Sequence, residues 1–238
     1  MGKNPIKTPK TPEVLYQPLD GNGNAYENLK RSDFERPLYT VLKNNYTNEK
    51  AKFSKVKVEL MPCPKREPSY NSVDYECGYT NYLRMNASTW IDPQSILGSP
   101  VVSNDGLLIG LALSQYKYSV ITFNSFQDYI NEEMSGNETF HPSVQKIKPK
   151  KYVFHARIYI YDWFNCEGAL ISSKHVLTAA SCIQKVANDT AAIRVELEAT
   201  GKNHTVSRAS YHNGFNGLQK NDIAVLQVIN HCSAIGPR

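Results

Sequence analysis

The chain has 238 residues and a mass of 26.8 kDa, enough for one two-lobed domain or two small ones. It is 41% hydrophobic, 21% charged and 11% aromatic, with mean hydropathy −0.46. That composition is globular and soluble, and it excludes a disordered, collagen-like or membrane-embedded chain. The net charge of +5 fixes no partner and gives no ground for nucleic-acid binding, while five cysteines, an odd count, leave one thiol without an intrachain partner.

Residues 1–36 are polar and rich in Lys, Pro, Asn and Gly, and they read as an extended arm. The opening Met1-Gly2-Lys3-Asn4-Pro5-Ile6-Lys7 has no apolar signal core and misses the hydroxyl residue of a myristoylation signal. Strand-favouring runs follow at Leu38–Leu42 and Val56–Leu60, the second alternating apolar and polar residues as a half-buried strand does. A Pro- and Tyr-rich stretch to about Gln94 reads as loop. Two strands separated by a short turn are expected at Leu107–Leu113 and Tyr118–Phe123. The apolar run Gly106–Leu113 is far shorter than the roughly 20 residues of a membrane span. Asn124 or Ser125 then caps a short helix near 125–134, with Phe126, Tyr129 and Ile130 on one face.

Residues 135–151 form a linker with two prolines and the basic run Lys146-Ile147-Lys148-Pro149-Lys150-Lys151. Such a run can bind a polyanion such as heparin, but a solvated linker is its commoner use. From Tyr152 the chain is strand-rich again, at Val153–Ile160, Gly168–Ser172, Val176–Thr178, Ile193–Ala199, Thr205–Tyr211 and Asp222–Ile229. Many short strands separated by turn residues predict an all-β barrel or sandwich. No internal repeat is visible in the sequence.

Five Asn-x-Ser/Thr acceptors stand at Asn45, Asn86, Asn137, Asn188 and Asn203, a mild excess for this composition. Together with the cysteines they predict a secreted glycoprotein. Export conflicts with the polar start, so the expectation is a chain with an incomplete N-terminus and missing flanking domains.

The segment Asn165-Cys166-Glu167-Gly168-Ala169-Leu170-Ile171 through Val176-Leu177-Thr178-Ala179-Ala180-Ser181-Cys182 resembles the chymotrypsin/trypsin-like serine protease family, whose pattern there is C-G-G-[ST]-L-I-x-x-x-x-V-L-T-A-A-H-C. Further on, Tyr211-His212-Asn213-Gly214-Phe215 and Asn221-Asp222-Ile223-Ala224-Val225-Leu226 resemble H-P-x-Y and N-D-I-A-L-L. The first half of the chain resembles the other end of the same family. Ser95-Ile96-Leu97-Gly98-Ser99-Pro100-Val101-Val102 is similar to G-D-S-G-G-P-L-V, residues 106–112 and 119–123 to the strand pair that follows, and Phe126–Ile130 to the closing helix. The resemblance therefore implies a C-terminal barrel half at 37–134 followed by an N-terminal barrel half at 152–238. A junction of two tandem domains and a permuted double barrel both fit that order. The first is preferred for the origin of the chain, and docking of the halves is expected because an undocked barrel half exposes its apolar face.

Carried over position by position, the resemblance puts the catalytic base on Ser181, the orienting acid on Asp222 and the nucleophile on Leu97. An aliphatic side chain has no lone pair for attack, and a serine hydroxyl does not titrate near neutral pH, so it cannot serve as the base. Ile96 stands where an aspartate pairs with the activated N-terminus, Ile91 where a trypsin-type pocket has its acidic floor, and Pro93 in the place of a pocket cysteine. The resemblance also implies bridges Cys166–Cys182 and Cys63–Cys77, each contributing roughly 2–4 kcal/mol. Cys232 is left over, either as a free thiol or, the preferred reading, bridged to a part of the protein outside this chain.

Other chemistries find no footing. His141, His155, His175, His204, His212 and His231 show no HxxxH spacing and the cysteines no CxxC, so no metal is expected, and no phosphate or dinucleotide glycine motif implies a cofactor. His175 reads as packing and His212 as part of a family loop. The expected function is a non-catalytic secreted homologue that binds extracellular proteins, other proteases among them. The alternative is a fragment of a serine-type endopeptidase.

Overall fold

The computed structural model describes residues 38–44, 52–61, 82–87, 96–103, 108–113, 119–122, 126–134, 154–198, 201–217 and 221–229. The arm 1–36, the linker 135–151, Cys63, Cys77, Cys232, Ile91, Pro93, Asn45, Asn137, His141 and His231 lie outside these residues.

Among the described residues, twelve strands form two closed barrels. The first contains β1 (Leu38–Asn44), β2 (Lys52–Met61), β3 (Tyr82–Ala87), β4 (Pro100–Ser103), β5 (Leu108–Leu113) and β6 (Ser119–Thr122), hydrogen-bonded in the order β1-β2-β3-β6-β5-β4. Pairing of Leu38 with Ser103 closes the ring. The second contains β7 (His155–Ile160), β8 (Trp163–Leu170), β9 (His175–Thr178), β10 (Ile193–Leu197), β11 (Lys202–Tyr211) and β12 (Ala224–Val228), in the order β10-β11-β12-β9-β8-β7, with Ile193 opposite Ile160. Counted from the first strand of each, both rings join strands 1-2, 2-3, 3-6, 6-5, 5-4 and 4-1. The chain thus repeats one topology twice, although its sequence shows no repeat. Pairing geometry and inward alternation can be met by many apolar combinations, so topology outlasts sequence identity.

The all-β expectation holds. In β10 the inward Ile193, Val195 and Leu197 are buried while Arg194 and Glu196 are half-buried, the alternation of a barrel wall. All six residues of β5 are buried, so its continuous apolar run is covered on both sides. Two expectations need correction. The stretch read as loop to about Gln94 contains β3, which pairs with both β2 and β6. The strand expected at Gly168–Ser172 begins earlier, at Trp163, because Tyr161 and Asp162 adopt positive φ (49° and 66°) and turn β7 straight into β8. Such a turn matches the strand twist, but Asn-Gly or Asp-Gly is its usual signature, and Tyr-Asp does not announce it.

After β6 the short helix α1 (Gln127–Met134) buries Ile130 and Met134 at i, i+4 spacing. It lies across the other barrel. Tyr129 donates its hydroxyl hydrogen to the Ser210 carbonyl at 3.0 Å, Glu133 pairs with Arg208 at 2.9 Å, and the rings of Phe126 and Tyr129 meet His212 edge-on at 5.4 and 5.1 Å. Val41, Val102, Leu108, Leu111, Ile130 and Met134 belong to the same continuous core as Phe154, Ile158, Leu177 and Leu226 of the second barrel. The halves dock.

Candidate functional site

Strand β9 delivers the chain into a single helical turn, α2 (Ala180–Ile183), and the loop after β11 brings Asn221 and Asp222 up to it. Asn221 takes a left-handed conformation (φ 54°), which asparagine tolerates better than most residues. Asp222 is buried, and it accepts hydrogen bonds from the Ser181 amide at 2.7 Å and the Ser181 hydroxyl at 2.8 Å. Burial pushes its carboxyl up to about 6, even though peptide N–H groups and the serine hydroxyl partly stabilise the anion. The two residues expected at the acid and base positions are therefore side by side, joined directly with no imidazole between them.

The Cys166–Cys182 bridge is present, with Cα atoms 6.2 Å apart. It anchors the neighbour of Ser181 to β8, and Asn165 Nδ2 donates to the Cys182 carbonyl at 2.8 Å to fix the same turn. Next along β8, the Glu167 amide donates to the Leu97 carbonyl at 2.8 Å. Leu97, expected at the nucleophile position, thus sits in a turn of the first barrel one residue across from the bridge, half-buried and packed on the core. Ile96 beside it is fully buried. Gly98 has φ +81°, and a Cβ there would collide with the Glu167 carbonyl, so backbone conformation and close approach both require glycine.

The sequence reading missed a polar cluster in this seam. Glu167 Oε2 accepts a hydrogen bond from Ser99 Oγ at 2.7 Å and lies 3.0 Å from His155 Nε2, with all three side chains essentially inaccessible to solvent. Thr178 Oγ1 donates to the Glu167 carbonyl at 2.8 Å. The signal was available. Glu167 and Ser99 stand where the patterns C-G-G and G-D-S-G-G-P carry glycine, and each added side chain points to the other.

Elsewhere, His175 is buried with Nδ1 at 2.8 Å from Ser172 Oγ, the packing role expected of it. Asn188 and Asn203 are exposed, whereas the side chain of Asn86, on β3, is outside the description. Among the described residues no cluster of three or more His, Cys, Asp or Glu is placed to hold a metal, and no helix is long and apolar enough to cross a membrane. At the β7–β8 hairpin, Trp163 is 79% and Tyr161 63% exposed. Behind them Arg157 and Arg194 each lie 4.4 Å over a ring, Phe164 and Tyr159 respectively.

Residues 143–234, which contain the whole second barrel, match the family model described as Trypsin. The second barrel is the part of the chain that is similar to trypsin-like serine proteases. Solved structures similar to the chain include human heparin binding protein (26% identity, 36% of this chain and 40% of that one, TM-score 0.30) and a secreted serine protease, VesC, from Vibrio cholerae (24%, 39% and 21%, TM-score 0.32). A third is kallikrein-related peptidase 10 (21%, 36% and 39%, TM-score 0.30). The match spans at most about two fifths of the length of these structures. No curated protein sequence matches the chain.

Proposed function

We propose that this chain is a catalytically inactive, secreted homologue of trypsin-like proteases that acts by binding other proteins, proteases among them, in an extracellular proteolytic system. The carrying observation is the direct bond between Ser181 and Asp222. A hydroxyl occupies the position that would have to accept the nucleophile's proton, and Leu97 stands where a hydroxyl would attack. The same reading treats the first barrel as the family's C-terminal half and α1 as its closing helix, so the two halves pair in inverted order. The shared topology and the docking of Leu97–Ser99 on β8 support that assignment. Binding is supported by the β7–β8 hairpin, where Trp163 and Tyr161, of the aromatic types that dominate protein–protein hot spots, are exposed over the Arg157 and Arg194 stacks behind them. Asn188 and Asn203 are exposed, so both acceptors are accessible to N-glycosylation in an exported protein.

The alternative, a fragment of a serine-type endopeptidase, is separated by one experiment. A fluorophosphonate probe acylates only an activated serine. The folded chain should remain unlabelled, as the heat-denatured control does. Covalent labelling at any serine that disappears on heating would overturn the inactive reading.

A further inference from the structure

Two Asn-Gly steps, Asn213-Gly214 and Asn216-Gly217, lie in the loop between β11 and β12, with all four residues exposed. Asn-Gly is the step at which a backbone nitrogen most easily reaches the preceding side-chain amide, because glycine has no Cβ to obstruct the approach. That attack requires removal of the amide proton. At Gly214 the proton already has an acceptor, since its N–H donates to His212 Nδ1 at 3.0 Å, within the reach of a general base.

The surroundings hold this arrangement. The Gly214 carbonyl, in the following peptide, accepts a hydrogen bond from Asn221 Nδ2 at 3.1 Å, which holds Gly214 from its C-terminal side. The imidazole is held edge-on by Phe126 and Tyr129 of α1. Burial there keeps its pKa below the usual histidine value, and the ring is an unprotonated base at neutral pH. The amide of Asn213 makes no hydrogen bond among the described residues. Gly217 has no such neighbour at its amide among the described hydrogen bonds.

The geometry points to Asn213 as a self-catalysed deamidation site, with His212 as the general base. His212 Nδ1 takes the Gly214 amide proton, and the nitrogen bonds to Cγ of Asn213. The bond from Cγ to the side-chain nitrogen breaks, and ammonia leaves carrying the proton returned by the imidazolium. The cyclic imide is opened by water at either carbonyl, giving aspartate or isoaspartate at 213. The net change consumes one water and releases one ammonia. It places a carboxylate next to His212, in the loop that α1 packs against, and it is independent of whether the chain hydrolyses peptides.

The test is to incubate the folded protein at neutral pH and follow the peptide spanning 211–217 by mass spectrometry, resolving positions 213 and 216. Deamidation at 213 should outpace that at 216. In His212→Gln, which keeps an acceptor without the basicity, and in His212→Phe, which keeps the aromatic packing, the rate at 213 should fall about tenfold or more, while the rate at 216 holds. Urea gives a check free of variants. Unfolding separates Gly214 from the imidazole, so the ratio of the two rates should collapse toward one. Unchanged rates at 213 in both variants, or a ratio indifferent to unfolding, would overturn the proposal.

Discussion

A carboxyl group buried against peptide N–H groups and a hydroxyl gains less as an anion than it loses by leaving water, and Asp222 accordingly holds its proton up to about pH 6. In the unfolded chain the same group ionises near 3.8. The folded state therefore binds the proton more tightly, and stability falls as pH rises from about 4 to about 6, then levels off. A shift of this size corresponds to up to about 3 kcal/mol at neutral pH. Asp222→Asn removes the charge while leaving Oδ1 to accept the Ser181 N–H, and Nδ2 can donate to a reoriented Ser181 hydroxyl. Denaturant unfolding across pH 4–8 should show the variant gaining on the parent through that window, ending about 1–3 kcal/mol more stable at pH 7. Parallel profiles for the two proteins would show that Asp222 carries no such cost.

Between elements, the seam is held where β8 meets the turn before β4. Glu167 contributes a backbone N–H to Leu97 and a side-chain acceptor to Ser99, so one residue grips the other barrel twice. Hydrogen bonds to a buried carboxylate contribute about 1.5–3 kcal/mol, more than neutral ones. A double-mutant cycle with Ser99→Ala and Glu167→Gln should therefore return a coupling of about 1–3 kcal/mol in unfolding free energy. Additivity of the two changes within about 0.5 kcal/mol would mean that the seam does not depend on this contact. The same elements mark how far the sequence could be read. Strands with clean alternation or long apolar runs, such as Val56–Leu60 and Leu108–Leu113, were legible, because burial selects their side chains directly. Strand β3 was not: Tyr82-Leu83-Arg84-Met85-Asn86-Ala87 follows a stretch dense in proline and tyrosine, and its pairing is fixed by β2 and β6 rather than by its own pattern. The Cys166–Cys182 bridge and the closeness of Ser181 to Asp222 were legible through local motifs. In the Ser99–Glu167–His155 cluster the two departures from glycine were visible singly, but their pairing was not, because Ser99 and Glu167 are 68 residues apart and become neighbours only when the barrels meet.

At the scale of the whole molecule, one question is whether the halves hold together through the seam or only through the chain that joins them. A covalent connection keeps two parts at millimolar effective concentration even when their mutual affinity is weak. The contacts between the barrels are more than a surface encounter. They combine an apolar core shared by both halves, the α1 contacts to Ser210, Arg208 and His212, and the buried Glu167 cluster. Breaking the interface would end the Ser99–Glu167 hydrogen bond and expose one flank of that core to water, and the exposed apolar surface is unfavourable. The run Lys146-Ile147-Lys148-Pro149-Lys150-Lys151 offers trypsin several lysines in the segment between the barrels. After brief digestion the chain should run as two fragments on a denaturing gel, yet elute as a single species at the volume of the intact protein under native conditions, over at least a tenfold dilution. Raising salt should weaken the Glu133–Arg208 pair, whose arginine is exposed, and leave elution unchanged, since the buried contacts are little screened. Elution as two separate barrels after cleavage would assign the cohesion to the connecting segment alone, and would favour partners for each half that lie outside this chain.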